Sequence, residues 1–323
     1  MKIGIVGLGT MGHAHAAAYR RMGAELKYAY DADREVLQGF ANKYGLEPAD
    51  SYEALVRAVD VVDICTPTFT HLELAEQAFA LGAEVILEKP LALTAAEGEQ
   101  IIRAARDTGR RLFVAMVVRF FPQYRRTAEL VHAGELGEVG VVRLKRVAFP
   151  PQAGWFRDPA LSGGMPVDLM IHDLDYARWL LGDPVSVFAR RSNPIQGEPL
   201  EHVQALLGYQ NGAMVLVEGG WAYPPGYFRT SLDVAGSQGL VEWSSDQPAP
   251  LETLFPKDAP PPALGLPMAG LEVDPYELEL KHALASLESG DPFDVSPDDA
   301  LAALKLAIAV RESAASGRVL EVA

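Results

Sequence analysis

Gly7-Leu8-Gly9-Thr10-Met11-Gly12 interrupts the chain between a β-branched run at residues 2–6 and a helical stretch ending near Gly23, and few architectures accept such a turn there. Glycines spaced Gly-x-Gly-x-x-Gly permit a tight turn and a close backbone approach. The helix that follows aims unpaired N–H groups beyond the end of the strand. Glycine is common here, 29 of 323 residues, so the position of the pattern must carry the argument. A second strand, Leu26–Tyr30, ends at Asp31, 24 positions after Gly7. A carboxylate at that place accepts hydrogen bonds from ribose hydroxyls, so Gly7, Gly9, Thr10, Met11, Gly12 and Asp31 read as a dinucleotide site. The same carboxylate repels a 2′-phosphate and favours NAD. Arg34, one turn further on, can pair with that phosphate and keeps NADP open.

Strands and helices go on alternating. Val61–Cys65 is closed by Thr66-Pro67, a helix spans about His71–Leu81, and Glu84–Leu87 forms the next strand. Thr94 and Glu97 have capping-box spacing at the start of another helix, and strand Leu112–Met116 follows. This βαβα order predicts a doubly wound parallel sheet, the Rossmann arrangement, over residues 1–120.

Beyond Arg119–Pro122 the rhythm changes. A helix at about Gln123–Ala133 leads to β-rich runs at Val139–Phe149, Val185–Ser192, Val203–Tyr209, Ala213–Gly219, Phe228–Ala235 and Leu240–Trp243. Gln210-Asn211-Gly212 carries a hairpin signal. One helix is inserted at about Pro166–Leu181, and two more, Pro275–Ser289 and Pro297–Ser316, close the chain. The expected fold class is α/β, with a C-terminal α+β domain over 121–323 built on a large, mostly antiparallel sheet. The proline-rich segment 246–270 is expected to be a loop or lid.

Composition narrows the partners. Lys+Arg 28 against Asp+Glu 43 gives a net charge of −15, which argues against a nucleic-acid backbone as ligand. A single cysteine, Cys65, excludes an intrachain disulfide. No stretch approaches the roughly 20 apolar residues of a membrane span. The expectation is a cytoplasmic protein with neither membrane nor nucleic-acid partner.

Two further clusters carry chemistry. Glu88-Lys89-Pro90 follows a strand, and in a doubly wound sheet ligands lie beyond the carboxyl ends of the strands, within a lysine's reach. In Ser162-Gly163-Gly164-Met165-Pro166-Val167-Asp168, continuing to His172 and Asp175, helical spacing puts Asp168 and His172 one turn apart. Histidine is the usual proton acceptor near neutral pH, and a carboxylate orients it. Taken alone, such a pair is more often a helical ion pair on a surface, by about three to one. No third ligand at metal spacing accompanies it, and no metal is expected.

Gly-x-Gly-x-x-Gly, Thr66-Pro67 with His71 four residues after the proline, Glu88-Lys89-Pro90, and Gly163-Gly164 with Asp168 and His172 occur in that order along the chain. The set resembles the glucose-fructose oxidoreductase/inositol dehydrogenase/rhizopine-catabolism (Gfo/Idh/MocA) family over essentially its whole length. The resemblance implies an open sheet in the second domain and a dehydrogenase of sugars, inositols or related polyols using NAD, or NADP. It implies Lys89, Asp168 and His172 as catalytic residues, with His172 the acid/base and Lys89 beside nicotinamide and substrate. Thr66, Pro67, His71, Glu88, Lys89, Pro90 and Arg119 would line the cofactor. Trp155, Arg157, Asp168, His172 and Lys89 would meet the substrate, although Trp155 and Phe120 suit hydrophobic packing equally well. Glu88 is expected to hold the Lys89 ammonium, and His13, His15 and Cys65 to be structural. Tyr223, Tyr227 and Arg229 fit either a sugar or a sheet surface.

Two other readings stay open: a non-catalytic NAD(H)-binding regulator of the same fold, and a reductase of a non-sugar substrate. The uncovered sheet face predicts a homodimer or homotetramer.

Overall fold

β1 (Ile3–Val6) is buried along its whole length, as befits the middle strand of a parallel sheet covered on both faces. The computed structural model to which it belongs describes residues 1–151, 153–193, 201–246 and 273–322. The chain forms two compact units, residues 1–120 with 270–301, and 121–269 with 302–323.

In the first unit β1 is followed by α1 (Thr10–Met22), β2 (Leu26–Tyr30), α2 (Arg34–Tyr44), β3 (Glu47–Pro48), α3 (Tyr52–Ala58), β4 (Val61–Ile64), α4 (His71–Ala80), β5 (Glu84–Glu88), α5 (Ala95–Thr108) and β6 (Leu112–Ala115). The strands lie in the order β3-β2-β1-β4-β5-β6, all parallel. The order reverses between β1 and β4, the switch point at which ligands bind in such sheets. α5 starts with the expected capping box, Thr94 Oγ1 accepting from Glu97 N while Glu97 accepts from Thr94 N. The short β3 and α3 escape sequence periodicity, because two and seven residues hold too little pattern.

The second unit contains α6 (Pro122–His132), β7 (Val139–Ala148), α7 (Pro159–Ser162), α8 (Ile171–Leu181), β8 (Ser186–Ser192), β9 (His202–Gly208), β10 (Met214–Gly220), β11 (Phe228–Gly236) and β12 (Leu240–Ser244). Beyond these lie α9 (Pro275–Ser289), α10 (Pro297–Ser316) and β13 (Leu320–Glu321). The sheet order is β12-β11-β7-β10-β9-β8-β13, antiparallel at every pairing except β7–β10. The β9–β10 hairpin turns at Tyr209–Gly212, where Gly212 has φ +86°.

Two expectations change and a third falls outside the described residues. Residues 270–301 group with the first unit rather than with 121–269, because α9 packs on α1. The helix expected over Pro166–Leu181 is a π-helical turn, Pro166–Met170, running into α8. The proposed lid at 246–270 lies outside the described residues, apart from Asp246.

Candidate active site

The glycine turn is built by close contacts that only glycine allows. Gly7 has φ +83°, and a Cβ there would come within 2.6 Å of the Cys65 carbonyl carbon and the Thr66 nitrogen. A Cβ on Gly12 would lie 2.3 Å from the Gly7 carbonyl oxygen, whereas one on Gly9 would meet nothing within 4 Å. Gly9, the N-cap of α1, thus borders open space, and the first turn of the helix carries no acidic residue to neutralise its positive end. That cradle suits a pyrophosphate. Thr10 and Met11 are half-buried beside it.

Asp31 is tied into this turn. Its Oδ2 accepts from Leu8 N at 2.9 Å and its Oδ1 from Asp33 N at 2.9 Å. Arg34 donates to the Asp50 carbonyl at 2.9 Å, so its guanidinium has a backbone partner.

The ends of β4 and β5 are held together by His71. This fully buried ring has Nδ1 2.9 Å from the Pro90 carbonyl and Nε2 3.0 Å from that of Thr66. Burial holds the imidazole below its usual pKa, against two carbonyl contacts that favour its protonated form. Thr66 Oγ1 is paired with Thr70 Oγ1 at 2.6 Å, and Thr70 Oγ1 also donates to the Pro67 carbonyl. Both ring nitrogens of His71 thus lie against the backbone that shapes the Thr66-Pro67 and Lys89-Pro90 turns, the single N–H of the neutral ring donating to one of the two carbonyls. The Lys89–Pro90 peptide is cis.

Glu88 is the last residue of β5 and is 5% exposed. Its Oε2 accepts from the backbone N–H of Lys89 at 2.9 Å, and its Oε1 lies 3.2 Å from His15 Nε2. The expected grip on the ammonium is replaced by a grip on the main chain, because the carboxylate turns into the protein. There it joins a network that the sequence reading passed over. His15 Nδ1 lies 2.8 Å from Asp63 Oδ2, which also accepts from Tyr19 Oη at 2.9 Å. The Cys65 thiol lies 3.4 Å from both His15 and Asp63, and burial with the Asp63 charge lifts its pKa, as expected of an unreactive thiol. The available signal was Asp63 itself, a charge inside the apolar run Val61-Val62-Asp63-Ile64. Arg119 is buried, donating to the Asp294 carbonyl at 3.0 Å and lying 4.0 Å from Asp299; its neighbour Phe120 packs edge-on to Phe113.

In the second unit the π turn presses on β10 at Gly219, where a Cβ would meet the Met170 side chain at 2.3 Å. Asp168 lies in that turn and His172 at the start of α8, both buried. Their spacing therefore crosses from a π turn into an α-helix, and a plain α-helical projection misplaces Asp168. π turns concentrate at functional sites. Asp173, next to His172, is clamped by Arg146, and both are buried. Trp155 and Arg157 share a 3₁₀ turn, with the Trp155 ring stacked 3.7 Å from Phe156. Tyr223 stacks on Tyr227, which also carries Arg229 over its ring. Lys89 belongs to the first unit, and Asp168 and His172 to the second.

A glycine cradle and an aspartate-clamped turn on a doubly wound sheet define a dinucleotide-binding protein. Residues 1–116 match the GFO_IDH_MocA model, described as an oxidoreductase family with an NAD-binding Rossmann fold, and 124–242 match the GFO/IDH/MocA C-terminal domain. The chain is 30% identical over 333 residues to the inositol 2-dehydrogenase of Rhizobium meliloti (strain 1021), covering 100% of this chain and 99% of that one. It is 29% identical over 326 residues to the myo-inositol 2-dehydrogenase of Thermotoga maritima, covering 97% and 96%. The crystal structure of GenD2 from gentamicin A biosynthesis in complex with NAD superimposes with a TM-score of 0.88 at 27% identity, covering 100% and 96%. This chain belongs to the Gfo/Idh/MocA family of oxidoreductases.

Proposed function

We propose that the protein is an NAD-preferring dehydrogenase that passes a hydride between C4 of the nicotinamide and a hydroxyl-bearing carbon of an inositol, sugar or related polyol. The supporting observation is that the lysine turn is tied to the cofactor turn: Gly7 abuts Thr66, and His71 bridges Thr66 to Pro90, the residue after Lys89. The inositol dehydrogenases among its relatives support the substrate class. Asp31 supports NAD over NADP, since a carboxylate at the ribose opposes a 2′-phosphate.

The cofactor supplies the redox chemistry and the chain supplies orientation and proton handling. His172 takes the hydroxyl proton, oriented by Asp168, while the Lys89 ammonium stabilises the alkoxide that develops on oxygen. Residues 1–120 provide the cofactor side, with Thr66, Pro67, His71, Glu88, Pro90 and Arg119 shaping it. The 121–323 stretch provides the substrate side, including Trp155 and Arg157. A polyol and sugar screen following NADH absorbance, run with both cofactors and in both directions, tests the reading. If Lys89→Met and His172→Ala leave kcat within about threefold of wild type, these roles are wrong.

The protein acts as a homodimer or homotetramer joined through the second unit's sheet, and it works in the cytoplasm. Leu206 and Leu216 are paired across β9 and β10 and, with Met214, are 39–45% exposed on one sheet face. Such a contiguous apolar face favours burial against a second copy. Light scattering at micromolar concentration tests it: a monomer refutes the proposal. Among the described residues no helix is long and apolar enough to cross a membrane.

A further inference from the structure

Three carboxyl groups and one imidazole are buried together beneath the Lys89 turn, and their charges do not balance if all are ionised. His15 (α1) is 0% exposed, with one ring nitrogen towards Asp63 (β4) and the other towards Glu88 (β5). The Nε2–Glu88 approach, 3.2 Å, lacks the alignment of a hydrogen bond. Glu279, on α9, is also 0% exposed, and neither of its carboxyl oxygens has a hydrogen-bond partner among the described residues. Its charge would be felt by Glu88, His15 and Asp63. The groups facing one another are His15 and Tyr19 from α1, Asp63 and Cys65 at β4, Glu88 from β5 and Glu279 from α9. One imidazolium balances one carboxylate, and sharing it between Asp63 and Glu88 leaves nothing for a third anion. A buried carboxylate without a donor is far costlier than its neutral acid.

We propose that Glu279 is a protonated acid at neutral pH, and that His15, as the cation of this cluster, is a positioning residue for the dehydrogenase reaction: it holds Glu88, whose other oxygen holds the backbone of Lys89. The inference rests on the catalytic role given to Lys89 above, but the state of Glu279 does not. Burial, then the Glu88 charge, drives the Glu279 carboxyl well above its usual range. Burial opposes protonation of His15, and the charge and hydrogen bond of Asp63 outweigh it.

Two arms of the test need no substrate. The infrared C=O stretch of a protonated carboxylic acid, sensitive to deuterium, is expected in the wild-type protein at pH 7 and absent from Glu279→Gln; its absence from both overturns the assignment. Melting temperature against pH is the second arm. A raised folded pKa means that wild type loses stability as pH rises above about 4.5, a loss the amide escapes. Glu279→Gln should therefore gain on wild type steadily from pH 5 to 8. A flat difference, or a variant that melts lower at pH 8, refutes it. The third arm follows activity: His15→Gln and Glu88→Gln should each lower kcat about tenfold or more, with the double variant no worse than the poorer single and the NADH affinity of His15→Gln within about threefold of wild type. Additive losses, or NADH binding lost in step with kcat, remove His15 from the positioning role. If the polyol screen finds no substrate, the first two arms still decide Glu279.

Discussion

Arg146 grips Asp173 with both arms of its guanidinium, Nε 2.7 Å from Oδ2 and Nη2 3.0 Å from Oδ1. Asp173 follows His172, so this buried pair ties the start of α8 to β7. Asp173 raises the Arg146 pKa despite burial, whereas burial pushes the Asp173 carboxyl up against the pull of Arg146. Two close contacts to a guanidinium favour the ionised pair. Asp173→Asn should destabilise the protein by about 3–5 kcal/mol, read from urea unfolding, because it strands a buried cation. Joint replacement by Arg146→Met and Asp173→Leu should cost less than the sum of the singles. An Asp173→Asn protein as stable as wild type would show that the pair does not anchor the helix.

Gly9→Ala and Gly12→Ala should separate ligand approach from fold. Gly9 borders open space, so its alanine variant should melt within a few degrees of wild type yet bind NADH at least tenfold more weakly. Gly12→Ala puts a methyl 2.3 Å from the Gly7 carbonyl oxygen and should lose both stability and binding. Thermal melts and NADH fluorescence titrations check the contrast.

Removing the Asp31 carboxylate should weaken NADH binding and narrow the discrimination against NADPH. Asp31→Ala removes the carboxylate proposed to accept from the ribose and also frees the Leu8 and Asp33 N–H groups. A loss of about 1–3 kcal/mol in NADH affinity is expected, with a smaller change for NADPH. Parallel titrations with the two cofactors measure it. An equal loss for both would mean that Asp31 only supports the turn.

His15 and His71 should give stability–pH curves of opposite sign. His15 has a raised folded pKa, so its contribution is fully present below about pH 6.5 and is lost as pH rises through the folded value. His71 has a depressed one, so its contribution is present above about pH 6.5 and is lost as pH falls through the folded value. The melting advantage of wild type over His15→Gln should shrink towards alkaline pH, and that over His71→Gln towards acid pH. Differences that run the other way would reverse the assigned charge states.

Much of this was legible in the residues. The glycine turn, the strand ending at Asp31 and the alternation to residue 116 locate the first sheet, because parallel strands covered on both faces must be apolar throughout. Six of the second sheet's seven strands were legible as β-rich runs between turns; β13, two residues long, was not. The short β3, α3 and α7 were not, since a few residues carry no period. The π turn was hidden as well: it packs Met165 and Met170 against Gly219, a contact far away in sequence that no local pattern signals.

Local chemistry, then, came from the sequence: a cradle where only glycine fits, an acid after the second strand, and a lysine and a histidine in motifs of specific spacing. Tertiary structure alone decided which side chains act on one another. His71 lies between two carbonyls, Glu88 holds the backbone of Lys89, and His15, Asp63 and Glu279, drawn from α1, β4 and α9, share one buried cluster. The physical reason is distance along the chain. Propensity and periodicity act over a few residues, whereas desolvation and Coulomb energies depend on groups that folding brings together from 48 positions apart, as for His15 and Asp63.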